Sequence, residues 1–334
     1  MTTSAPDPQP ILDLIEAFRR SKTLFAAVAL GLFDRLDSGP QTVYQLRHDG
    51  ENPDSLRRLL DACVSLGLLS RDGELYANTP AASFYLRRSS PATLTGYISY
   101  SNTILWQLWA HLEDAVREGS HRWKQAFGLD GNIFSHFYRS EDSKREFLLG
   151  MHGFGLLSSP AVVAAFDLSR FARLVDLGGG TGHLALAAAE RYPQMATAVF
   201  DLPSAIDFAR EFTAATPVEL IPGDFFTDPL PPADLYALSR ILHDWHEDKI
   251  RFLLDKIYRA LPAGGGLLIA ERLLDDDLSG PVAAHMQSLN MLLCTEGRER
   301  SFPQYAALLE DSGFAAIQGR RTGAPLDAIL ALKQ

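Results

Sequence analysis

The chain has 334 residues, 46% hydrophobic, 10% aromatic and 22% charged, with a net charge of -10. That length and apolar content can bury two domain cores, and they exclude wholesale disorder and collagen-like or coiled-coil repeats. The acidic balance argues against a general phosphate-binding surface, so nucleic acid is not an expected partner. The N-terminal stretch MTTSAPDPQPILDLIEAF has no basic segment leading into an apolar one, and the apolar window Leu24 to Phe33 is too short for a bilayer. Neither export nor a membrane anchor is expected. Cys63 and Cys294 are far apart and in no Cys-x-x-Cys spacing, which fits a reducing, cytoplasmic setting.

From about Pro10 to Leu157 apolar residues recur at spacings of three and four, the pattern of a helical half. Within it, KTLFAAVALGLF is apolar almost all round a helix, more than one small domain can bury, which predicts a homodimer. The stretch NPDSLRRLLDACVSLGLLSRDGELYANT predicts a helix capped by Asp54 or Ser55 and two short strands turning through Asp72-Gly73, a winged-helix pattern. Its candidate recognition helix offers only Arg57 and Arg58 beside Asp61 and apolar rows, so packing and dimerisation are expected rather than DNA binding.

From Arg173 the period changes. RLVDLG, ATAVFDLP, VELIPGDFF, ADLYALSR and GGGLLIAERLL are five strand candidates with helical stretches between most of them, a doubly wound α/β sheet. FAAIQGRRTGAPLDAILALK then adds an antiparallel hairpin about Thr322-Gly323, which a plain dinucleotide fold usually lacks. The expected domains are 1–167, helical and winged-helix-like, and 168–334, α/β.

VDLGGGTGHLALAAAE is a strand, a glycine turn and a helix, in which Gly178, Gly180 and Gly182 allow a tight turn and close approach of a cofactor to backbone. The motif alone also satisfies a dinucleotide pattern. Asp201 ends the next strand, where its carboxylate either accepts the ribose hydroxyls or caps the following helix. Gly223, Asp224 and Phe225 follow the third strand, placing a carboxylate for an adenine amino group and a ring for its face. Without phosphates to repel, S-adenosylmethionine suits these acidic residues better than NAD, and no hydride-transfer arrangement is evident. Asp275, Asp276 and Asp277 read as a solvated turn, since consecutive carboxylates cannot all face one ion; no metal is expected.

The motifs LGLFD, AVREG, FYRSE, DLGGGTG, GDFFTDPLPPADLY, RILHDW, SLNMLLCTEGRERS and the terminal DAILALK resemble those of the S-adenosylmethionine-dependent O-methyltransferases of small aromatic molecules, the hydroxyindole enzymes above all, over nearly the whole chain. The resemblance implies a class I methyltransferase domain, Rossmann-like with its antiparallel terminal hairpin, behind a helical dimerisation domain. It also implies a histidine base, His243, flanked by Glu271 and Glu299, with no metal. Tyr138, on the helical half, and Arg240 match cofactor contacts, although Arg240 alternatively pairs with a carboxylate. Asp244 matches a substrate contact, although Asp244 to Glu247 also reads as a capping box. Asn290 matches a substrate-contacting asparagine, whereas Cys294 stands where the hydroxyindole enzymes carry a substrate-contacting glutamine, and Gly155 where they carry a tryptophan. Those departures predict an acceptor less polar than N-acetylserotonin, and room for a bulkier ring or a differently seated cofactor, although Gly155 alternatively marks only a helix irregularity. Two rivals stay open: a non-methylating reaction on the same cofactor, and a winged-helix regulator.

Overall fold

A computed structural model describes residues 5–131 and 136–334. The chain divides into two compact units, up to Ile104 and from Leu105 onward. The division expected near residue 167 instead marks the join between a long helix and the first sheet strand, both of which belong to the second unit.

In the first unit α1 spans Gln9–Ala29 and α2 spans Pro53–Ser65; β1, Leu69–Asp72, pairs antiparallel with β2, Leu75–Asn78. The cap of α2 is Asn52, whose Oδ1 accepts the Ser55 N–H at 3.0 Å, because Pro53 at the first helical position leaves Asn52 extended. The hairpin register leaves Gly73 and Glu74 at the tip, with Gly73 at φ +57°. Arg57 pairs with Glu74 at 2.9 Å and Arg71 with Asp61 at 3.0 Å, so two basic groups of this helix and hairpin are occupied by carboxylates, while Arg58 is exposed. The apolar stretch KTLFAAVALGLF places Ala27, Val28, Leu32 and Phe33 in this unit's own core. The exposed apolar row of α1 lies earlier, at Ile11, Leu14, Ile15 and Phe18, one face at spacings of three and four.

The second unit is built on β3, Arg173–Leu177; β4, Ala196–Asp201; β5, Glu219–Pro222; β6, Leu235–Ser239; β7, Gly266–Glu271; β8, Ala315–Arg320; and β9, Asp327–Leu332. Its strand order is β5-β4-β3-β6-β7-β9-β8, with β5 to β7 in parallel and β9 antiparallel to both neighbours. The doubly wound sheet and its terminal hairpin are thus present as expected. Alternation along β3 explains why both faces are covered: Val175 and Leu177 join one core layer and Leu174 the other.

The longer helices here are α3, Glu141–Ala164; α4, His183–Arg191; α5, Pro203–Thr213; α6, Glu247–Ala260; α7, Val282–Cys294; and α8, Phe302–Asp311. In α6, Ile250, Leu253, Leu254 and Ile257 are fully buried, and each contributes roughly 1.5–3 kcal/mol against the sheet. By length and composition α3 could cross a membrane. Its buried residues include Gly150, Gly153 and Gly155, small positions that let it lie close to α4. The strand order reverses between β3 and β6, and open sheets of this kind bind ligands outside the carboxyl ends at that point.

Candidate active site

The turn after β3 carries Gly178, Gly180 and Gly182 at φ +70°, +56° and +83°, conformations that favour glycine. A Cβ at Gly178 would lie 2.6 Å from Ile241 Cδ1 and 3.2 Å from the Phe225 ring, so Phe225 closes directly over bare backbone. Asp201, at the end of β4, accepts the Gly180 N–H on Oδ2 at 2.8 Å and the Leu202 N–H on Oδ1 at 2.7 Å. Helix α5 begins after Leu202 with no side-chain cap, so Asp201 braces the glycine turn rather than capping the helix. Burial pushes its carboxyl up to about 6 against those two amides.

Asp224 accepts the Phe226 N–H at 2.8 Å, and its charge is felt at Asp201. Gly223 packs against the Phe200 ring, which occupies the place of a side chain. Tyr138 feels the charge of Asp201, and burial raises its hydroxyl well above the usual range. It lies in the same compact unit as the sheet. A carboxylate, a ring beside bare backbone and four glycines between Leu177 and His183 fit an adenosine group, whose ribose donates and whose base stacks.

Across the switch point, β6 ends in a short 3-10 turn, Leu242–Asp244. Arg240, at φ +57°, is a strained non-glycine residue whose backbone N–H reaches Ala270 O at 2.9 Å. Its guanidinium lies over Phe154 at 5.4 Å, and its charge is felt at the Asp244 and Glu299 carboxyls, so the alternative of a carboxylate partner stands beside the cofactor role. Glu271 ends the neighbouring strand β7 and turns its Oε1 back to accept the N–H groups of Ile241, Leu242 and His243 at 3.1, 2.9 and 3.3 Å.

His243 is 3% exposed; its Nδ1 lies 2.7 Å from Glu299 Oε1 and 3.4 Å from Glu271 Oε2. Burial pushes Glu271 up to about 7 and Glu299 to about 8. The three side chains also offer atoms within 4.8 Å of one another, as a metal set does. The His243 Nδ1–Glu299 Oε1 pair at 2.7 Å is at hydrogen-bond distance, shorter than the about 3.3 Å between two ligands held tetrahedrally at about 2.0–2.1 Å.

The Nε2 side of His243 faces Asp244, whose Oδ1 is 3.7 Å away and whose carboxyl burial raises to about 6. Asp244 is not the expected cap: α6 starts after His246, and no side chain caps it. The Asp244 charge is felt in turn at Cys294 on α7. Cys294 Sγ donates to Asn290 Oδ1 at 3.7 Å, and Trp109 Nε1 donates to the same oxygen at 3.0 Å. The Asn290 oxygen is thereby engaged and its amide nitrogen is left to donate elsewhere. Trp109 had no local signal, being 181 residues away in the chain.

Gly155 does not open the room expected of it, because a Cβ there would lie only 2.2 Å from carbons of the His183 ring. The acidic run is also no cluster: Asp275 pairs with Arg321 at 2.8 Å, while Asp277 accepts from Ser279.

Residues 12–88 match the O-methyltransferase dimerisation domain and residues 109–315 the O-methyltransferase domain. The chain is 43% identical over 327 residues to the acetylserotonin O-methyltransferase of Bos taurus, with 95% of each chain covered. The crystal structure of human N-acetylserotonin methyltransferase in complex with SAM is similar at a TM-score of 0.94 and 40% identity, over 100% of this chain and 99% of that one. PigF with SAH is similar at 0.88 and 30% identity, over 98% and 100%. The chain belongs to the O-methyltransferase family and is an S-adenosylmethionine-dependent O-methyltransferase carrying that family's dimerisation domain.

Proposed function

We propose that the enzyme methylates a hydroxyl of a small aromatic acceptor, a hydroxyindole or phenol, with His243 as general base and no metal. The observation that carries this reading is the buried His243, held through Nδ1 by Glu299 at 2.7 Å and across the switch point from the glycine turn. Asp201, Gly178, Phe225, Tyr138 and Arg240 would hold S-adenosylmethionine, which when bound supplies the electrophilic methyl group. With Glu299 accepting the Nδ1 proton, Nε2 carries the lone pair that takes the acceptor's proton. A phenol near pKa 10 against an imidazole near 6.5 makes full transfer uphill by roughly 5 kcal/mol. Glu299 fixes the orientation of the ring, and Glu271 holds the turn in place through its three amides.

The acceptor class draws support from the named activity of the bovine and human relatives. Asn290, aimed by Trp109, offers an amide donor to that acceptor; Cys294 donates to Asn290 and supplies no second amide. The proposal includes a homodimer through the exposed face of α1, and a cytoplasmic location, supported by two buried free thiols. The paired Arg57 and Arg71 favour no nucleic-acid role. The test is mass spectrometry of a hydroxyindole and phenol panel, N-acetylserotonin included, with labelled cofactor and with EDTA. Label on an aromatic oxygen in the presence of EDTA is expected. Label on no hydroxyl, or activity restored only by added metal, would overturn the reading.

A further inference from the structure

Residues 178–183 read Gly-Gly-Gly-Thr-Gly-His, so only Thr181 and His183 give the protein side chains by which to hold the turn. One helix holds both. His152 Nδ1 and Thr181 Oγ1 are 2.8 Å apart, as are Ser159 Oγ and His183 Nδ1. His152, Gly155 and Ser159 stand at i, i+3 and i+7, a single face of α3. Between the two hydrogen bonds, bare Gly155 makes the notch that seats the His183 ring. Thr181 is 1% exposed and Ser159 2%, so the handles are out of water. Burial holds both imidazoles neutral, His152 pushed down to about 4 and His183 to about 3.

Packing alone does not call for this arrangement, because burying two imidazoles and two hydroxyls to join helices costs more than apolar contact would. A glycine-rich turn, however, loses more backbone freedom on ordering than any other, and a ligand that must order it binds more weakly. We infer that His152, Gly155 and Ser159 form a clamp that sets the glycine turn in its cofactor-binding shape before the cofactor arrives, with Thr181 and His183 as its handles. These are positioning residues acting through the turn, whose Gly180 N–H is in turn fixed by Asp201. The inference rests on the cofactor occupying this turn and is independent of which acceptor the enzyme uses.

The experiment compares Thr181→Val and Ser159→Ala, each of which deletes one hydroxyl, with the intact enzyme. Calorimetry with S-adenosylhomocysteine alone reads the cofactor Kd; turnover at saturating cofactor reads kcat and the acceptor KM. Each variant is expected to raise Kd roughly 3- to 10-fold while kcat and acceptor KM stay within about twofold. Gly155→Ala should weaken binding by displacing the ring, and adding His183→Ala to it should weaken binding no further. Thermal destabilisation with Kd unchanged in both hydroxyl variants would reduce the clamp to ordinary packing and overturn it. Intact enzyme that binds no S-adenosylhomocysteine would overturn the cofactor site and the clamp together, whereas failure of every acceptor in the panel leaves this readout standing.

Discussion

Two turns, one after β3 and one after β6, flank the reversal in strand order, and they are held by different sets of groups. The glycine turn after β3 is gripped by neutral side chains, two histidines and two hydroxyls, besides the Asp201 brace. The His243 turn after β6 is gripped by a carboxylate accepting three consecutive amides, with a second carboxylate on the imidazole. Burial lifts carboxyls at both turns, Asp176 and Asp201 at the first and Glu271 and Glu299 at the second, so the difference lies in the neutral hydrogen bonds that the cofactor turn adds to its carboxylate brace. A proton-accepting turn has to change charge, so it stores carboxylates whose burial lifts them toward neutral pH, and that storage lowers stability.

The comparison breaks most readily at Glu271. Glu271→Ala leaves three amides unsatisfied and should destabilise the protein by about 3–5 kcal/mol, whereas Glu271→Gln retains an acceptor oxygen and should lose far less. Chemical denaturation of both variants checks this; equal losses would show that the carboxylate does not organise the turn.

Glu299 sharpens the contrast through pH. Its carboxyl is raised from 4.5 to about 8 by burial, so its favourable contribution is complete below about pH 4.5 and is lost as pH rises toward 8. Glu299→Gln has no such loss, and it should gain on the intact enzyme by up to about 5 kcal/mol between those limits while turnover falls. A constant stability difference across that range would contradict the stored-charge account.

Asp201 gives the next effect. Asp201→Ala should weaken cofactor binding by about 1.5–3 kcal/mol, the value of a charged hydrogen-bond partner. In the intact enzyme the cofactor Kd should rise as pH falls through about 6, as this carboxylate gains its proton, and Asp201→Asn should abolish that dependence. The smallest effect is expected at Cys294, where Cys294→Gln should improve kcat/KM for N-acetylserotonin relative to a larger phenol by roughly 1 kcal/mol, about fivefold.

Much of this was legible in the sequence because it is local. The glycine turn, the strand alternation and the terminal hairpin each declare themselves within about twenty residues, and RILHDW placed His243 at a strand end. Long-range packing was not legible. Gly155 looked like a vacancy because nothing local says that His183, 28 residues later, fills it. Asp244 to Glu247 had the letters of a capping box, yet Asp244 turns toward the imidazole and the helix starts later. The exposed row of α1 was overlooked because polar residues between Ile11 and Phe18 dilute it, while the more apolar stretch after it is spent on its own unit's core.

The most direct test of the central claim is the His243→Asn variant assayed beside the intact enzyme, with cofactor Kd from calorimetry and kcat at saturating substrates. A loss of kcat of about 10²–10⁴-fold with cofactor Kd unchanged is expected, because the imidazole meets the acceptor and its own glutamates. Turnover within about tenfold of the intact enzyme, or a loss explained by cofactor Kd alone, would contradict it.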